Sequence, residues 1–93
     1  MVVPAARRRP RPITQPQDRA PTYLQQFGLR LKLARLKADL TQEQLAERAG
    51  LHRTFVGLLE RGESGISVER LPDLANALGV EPAELLPPSA SRP

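Results

Sequence analysis

Leu40-Thr41-Gln42-Glu43-Gln44-Leu45-Ala46-Glu47-Arg48-Ala49-Gly50-Leu51-His52-Arg53-Thr54-Phe55-Val56-Gly57-Leu58-Leu59-Glu60-Arg61-Gly62 is the stretch from which the fold can be read. Thr41-Gln42-Glu43-Gln44 has the capping-box pattern: a hydroxyl placed to accept from the backbone three residues on, and a glutamine placed to reach back. Leu45, Ala46 and Ala49 follow at helical spacing, and Gly50 stands where a left-handed residue ends a helix. That predicts a short helix over 42–49. Only Gly50 and Leu51 intervene before residues 52–61 resume helical spacing with Phe55, Val56 and Leu59, and Gly62 supplies the next stop. Two helices joined by so short a turn cross steeply.

Outward from this pair, Thr22-Tyr23-Leu24-Gln25 repeats the capping-box pattern after Pro21. Leu24, Phe27, Leu31, Ala34 and Ala38 then recur every three or four residues, predicting a first helix over 23–38. On the other side, 63–67 reads as a loop, and Leu71, Leu74, Ala75 and Leu78 form an apolar face before Gly79. Pro72 has no N–H and is harmless only in a first turn, which places the start of this fourth helix near Glu69. Pro82 opens a last short helix through Leu86, closed by Pro87-Pro88. Five short helices predict a compact all-α domain.

Of the 10 prolines in 93 residues, five (Pro4, Pro10, Pro12, Pro16, Pro21) precede the first helix and three (Pro87, Pro88, Pro93) follow the last. The expected organisation is a disordered Pro/Arg-rich arm over 1–22, a folded domain over 23–87 and a disordered tail over 88–93. Charge follows the same division. Residues 1–22 carry five arginines and one aspartate, 5 − 1 = +4, which is the whole net charge of +4. Residues 23–62 hold seven basic and four acidic side chains (+3), and 63–93 hold two basic and five acidic (−3). The first half of the domain is suited to face phosphate and the second is not. With no Cys, a disulfide scaffold and a Cys-based zinc site are excluded, and a reducing, cytoplasmic setting is expected. No apolar run is long enough for a membrane span.

Taken together in order, Gly28, Arg35, the Leu40–Ala46 segment, Ala49-Gly50-Leu51-His52, Glu60-Arg61-Gly62 and Leu74-Ala75-Asn76-Ala77-Leu78-Gly79-Val80 resemble the Cro/phage-repressor family, also called the xenobiotic-response-element family. These are helix-turn-helix DNA-binding proteins with a lambda-repressor-like domain, and the resemblance covers about residues 27–86. Within the family, residues 49–55 look most like the controller proteins of restriction–modification systems. The resemblance puts the base-contacting positions on Arg53, Thr54 and Leu58, with Phe55 and Gly57 beside them. Arg53 can donate two hydrogen bonds to a guanine; Thr54 selects less sharply, and Leu58 suits a thymine methyl or the core. Phe55 reads equally as a core anchor and a groove contact. Gln42 falls where the family holds a phosphate, aided by helix N-terminal amides. His52, the single histidine, lacks partners for a metal site or a triad and reads as a helix-start residue touching backbone or phosphate.

Arg48 and Arg61, with Arg30, Lys32 and Lys37, read as a loose phosphate-facing set. Arg7, Arg8 and Arg9 suit a phosphate or minor-groove contact, or a solubility tail. The family's pairing implies that Arg35 and Glu60 form an internal ion pair that fixes the angle of the third helix. Val80, Leu85 and Leu86 are the expected dimer interface, although Leu85 and Leu86 equally suit the monomer's own core. The resulting expectation is a homodimeric regulator that binds a palindromic operator in double-stranded DNA. The competing reading is an antitoxin-type module that binds a partner protein. No paired carboxylates, nucleophile–base set, phosphate loop or metal cluster is visible, so no enzyme, cofactor or metal is expected.

Overall fold

The computed structural model describes residues 20–88, which form five helices: α1 (Tyr23–Lys37), α2 (Gln42–Ala49), α3 (Arg53–Glu60), α4 (Leu71–Leu78) and α5 (Pro82–Leu85). Among the described residues there is no strand. The helix starts follow the local chemistry of the sequence. Thr22 Oγ1 accepts from the Gln25 amide while Gln25 Oε1 accepts from the Thr22 amide, and Thr41 and Gln44 repeat the arrangement at α2. Gly50 ends α2 at φ 70°, letting the Leu51 amide turn back to the Ala46 carbonyl at 2.8 Å. α1 ends by the same device on a residue that gives no glycine signal. Asp39 adopts φ 63°, and the Leu40 amide donates to the Arg35 carbonyl at 3.1 Å. Aspartate is among the few side chains that enter this region readily.

Phe27 and Leu31 of α1, Leu45, Ala46 and Ala49 of α2, Val56 and Leu59 of α3, and Leu71, Leu74, Ala75 and Leu78 of α4 meet in one core, closed by Leu40 and Leu85. Leu85 therefore corrects the expected dimer interface. It is 1% exposed inside the monomer, because the short α5 has to seal the end of α1 and α4, and it has no surface to offer a partner. Val80 is half-buried against the same core. Leu24 (40% exposed) and Ala38 lie off the inward line of α1, which runs instead through Phe27, Gly28, Leu31 and Arg35. α4 begins at Leu71 rather than near Glu69. Ser67 accepts the Arg70 amide through both Oγ (3.2 Å) and its carbonyl (3.0 Å), winding 68–70 into a turn before the helix proper. The proposed arm and tail, including Arg7, Arg8 and Arg9, lie outside the described residues except at 20–22 and 88.

Gly28 sets how closely α1 and α3 approach. A Cβ there would run into the carbonyl oxygens of Leu59 and Glu60, both backbone atoms that cannot swing aside. Gly28→Ala is expected to destabilise the domain by about 1–3 kcal/mol despite alanine's better helix propensity, measured as a lower urea midpoint at unchanged slope. A midpoint equal to or above that of the parent chain would show that α1 and α3 are not held at this distance.

Candidate nucleic-acid interface

Four segments meet at one buried ion pair. Arg35 of α1 donates from Nε to Glu60 Oε2 at 2.6 Å and from Nη2 to Glu60 Oε1 at 3.2 Å, and its Nη1 donates to the Leu40 carbonyl at 2.7 Å. Glu60 Oε1 also accepts from Gln42 Nε2 at 3.0 Å. The end of α3, the start of α2 and the last turn of α1 are thereby tied to each other through charge-assisted hydrogen bonds. Gln42 enters this junction through its amide nitrogen. Its side-chain oxygen and the N-terminal backbone amides of α2 remain the groups suited to a phosphate.

α3 leaves the turn with its first residues outward. His52 caps it, Nδ1 accepting from the Thr54 amide at 3.1 Å, so the proton of a neutral imidazole sits on Nε2 as an outward donor. Val56, Leu59 and Glu60 face inward, leaving Arg53 and Thr54 exposed and Phe55 and Leu58 half-buried at the margins. Phe55 packs against the core. Arg53 Nε lies 3.5 Å from Glu43 Oε2 of α2, with both side chains mostly in water. Such a pair is worth about 0–1 kcal/mol, so it orients the guanidinium without locking it in place.

Arg61 shares this outer face. A Cβ on Gly57 would stand 3.2 Å from Arg61 Nη1, so the guanidinium lies across the bare backbone of α3, while its Nε donates to Glu63 Oε2 at 3.1 Å. Arg48 is exposed near the end of α2. Arg30 leaves the expected phosphate-facing set: its Nη1 donates to the Glu84 carbonyl at 3.2 Å, which places it beside α5. Arg70 is the residue the sequence reading missed. Its Nη2 donates to the carbonyls of Ala49 (3.3 Å) and Gly50 (3.0 Å), and its Nε to Asp73 Oδ2 (3.1 Å). It clamps the turn between α2 and α3 from the start of α4. The sole local signal was an aspartate three residues after an arginine.

Comparison with known proteins places these features in context. Residues 31–85 match a family model described as helix-turn-helix. The chain is 39% identical over 61 residues to the control protein C.BamHI of Bacillus amyloliquefaciens, covering 64% of this chain and 75% of that protein. It is 48% identical over 48 residues to the control protein C.SmaI of Serratia marcescens, covering 52% and 57% respectively. Among solved structures, it is similar to the restriction-modification controller protein C.AhdI from Aeromonas hydrophila, with a TM-score of 0.66 and 44% identity over 68% of this chain and 96% of that one.

Removing one partner from the buried ion pair leaves the other charge uncompensated. Glu60→Ala is expected to cost about 3–5 kcal/mol in chemical denaturation, whereas the double replacement Arg35→Met with Glu60→Leu recovers most of that loss. A neutral Glu60→Ala would mean that the fork does not hold the junction together.

Proposed function

The chain belongs to the helix-turn-helix family of DNA-binding transcription regulators, and from that premise we propose that it reads a palindromic operator as a homodimer, each α3 in a major groove. The observation that carries this reading is the outward N-terminal face of α3, with Arg53 and Thr54 exposed beside the α2 start and held there by the Arg35–Glu60–Gln42 junction. A helix presented in this way fits a groove about 12 Å wide, its first residues nearest the base edges. Arg53, Thr54, Phe55 and Leu58 are the proposed base contacts. Gln42, His52, Arg48 and Arg61 are the proposed phosphate contacts, with Arg7, Arg8 and Arg9 adding charge from the arm. Similarity to the control proteins supports a role in governing the genes of a restriction–modification system.

For the dimer surface the support shifts from Val80 and Leu85 to Leu86. Tyr23 Oη donates to the Pro87 carbonyl at 3.0 Å, pinning the segment after α5 against the start of α1. Leu86 and Leu24 (each 40% exposed), Tyr23 (50%) and Val68 (83%) thus border one apolar hollow of about 240 Å³. Gly65 and Ile66, from the loop that follows α3, also line it, with the core residues Phe27 and Leu71 beneath. A two-fold axis through this patch suits two half-sites one helical turn apart, about 34 Å. Val80 lines a different groove.

Selection of bound sequences from a random DNA library tests the central claim: one motif with two-fold symmetry is expected, and the absence of any preferred sequence at moderate salt would refute it. Arg53→Ala should lose about 1–3 kcal/mol of discrimination at one or two positions of that motif. Replacing Arg7, Arg8 and Arg9 by Ala should lower affinity and flatten the salt dependence without altering the motif. Leu86→Glu should shift sedimentation from dimer to monomer and weaken operator binding while leaving the helical spectrum unchanged.

A further inference from the structure

The outer face of α1 is used neither by the DNA-binding surface nor by the proposed dimer patch. Leu29, Leu33 and Leu36 stand at i, i+4 and i+7 and are 55%, 56% and 53% exposed. At about 100° per residue they fall within an arc of roughly 60° on the side of the helix opposite Phe27, Leu31 and Arg35. The exposed back of a core-packed helix ordinarily carries charge, and lysine or glutamate would serve helix propensity about as well as leucine. Three leucines in line there are the anchor spacing of a helix-to-helix docking face. Leu33 also opens into a concavity of about 490 Å³ between α1 and the α4–α5 corner, floored by Leu78, Val80 and Leu85, with room for an inserted side chain.

Charge decides which occupant fits. α1 contains no acidic residue, and Arg30, Lys32 and Lys37 flank the leucines, while Arg35 is buried on Glu60. Two acids lie nearby: Glu84 at the lip of the concavity, and Asp39 two residues past the helix end. Pairing two copies through this face would oppose three cations with three cations, which disfavours a second copy of the chain. An amphipathic helix with apolar residues at matching spacing and carboxylates on its flanks satisfies both the leucines and the cations. We infer that the outer face of α1 is a docking site for an acidic amphipathic helix of a partner protein. Because the inner face of α1 packs on α3 at Gly28, this site points away from α3, and partner and DNA bind together.

The test uses the full chain and three probes: a synthetic amphipathic helical peptide with leucines at this spacing and glutamate flanks, the same peptide with lysine flanks, and phosphatidylglycerol vesicles. The acidic peptide is expected to bind, with methyl shifts confined to Leu29, Leu33, Leu36 and the floor residues Leu78, Val80 and Leu85, and to bind equally when the chain is on DNA. Leu33→Gln should weaken it at least about tenfold, and Lys32→Glu with Lys37→Glu should transfer preference to the lysine peptide. Unchanged helicity of both variants, with unchanged DNA affinity of Leu33→Gln, separates this site from the operator-reading surface. The inference is overturned if neither peptide binds, if both bind equally, or if the vesicles bind as well as the acidic peptide. It is also overturned if Leu33→Gln dissociates the free protein, which would assign the face to a second copy.

Discussion

The Arg35–Glu60 fork is the constraint on which the arrangement of this domain rests. A guanidinium and a carboxylate this deeply buried are tolerated only when their remaining hydrogen-bonding capacity is met, and here the Leu40 carbonyl and the Gln42 amide meet much of it. Those two partners come from the loop before α2 and from its first turn. The pair therefore does more than join α1 to α3: it fixes where α2 starts relative to where α3 ends. With Gly28 drawing α1 against the last carbonyls of α3, α3 has little freedom to tilt.

A second clamp acts on the turn between α2 and α3. Arg70 reaches the carbonyls of Ala49 and Gly50, two acceptors left open where α2 ends, while Asp73 holds the guanidinium in place. The helix pair is thus braced by α1 through a buried ion pair and from the start of α4 through the hydrogen bonds of Arg70 to two backbone carbonyls. This accounts for a domain with few aromatic side chains presenting α3 in a single orientation. The division of charge follows from the same plan: the positive half contains α1 to α3, and the negative half contains α4 and α5. Arg70 is the cation of that negative half committed to the turn.

Most of the architecture was legible in the sequence because its determinants are local. Capping boxes at Thr22 and Thr41 and the left-handed Gly50 act within a turn of the backbone, and they specify α2 to the residue. Misreadings arose where a longer-range or side-chain effect intervened. A turn over 68–70, capped by Ser67, precedes α4, and Asp39 takes a left-handed conformation that composition does not announce. In α1 the many leucines obscured which face turns inward, since Leu24, Leu29, Leu33 and Leu36 all lie off the core.

By itself, then, the sequence determined the five helices, the turn between α2 and α3, and the face of α3 that carries Arg53 and Thr54, because each depends on spacing and chemistry within a few residues. Tertiary structure alone decided the fate of side chains whose neighbours are distant in the chain. It sealed Leu85 in the core and left Leu86 beside Leu24, sent Arg30 to α5, and gave Arg70 to the turn. The physical reason is that burial and ion pairing depend on which helices meet, and periodicity within one helix carries no record of what lies across from it.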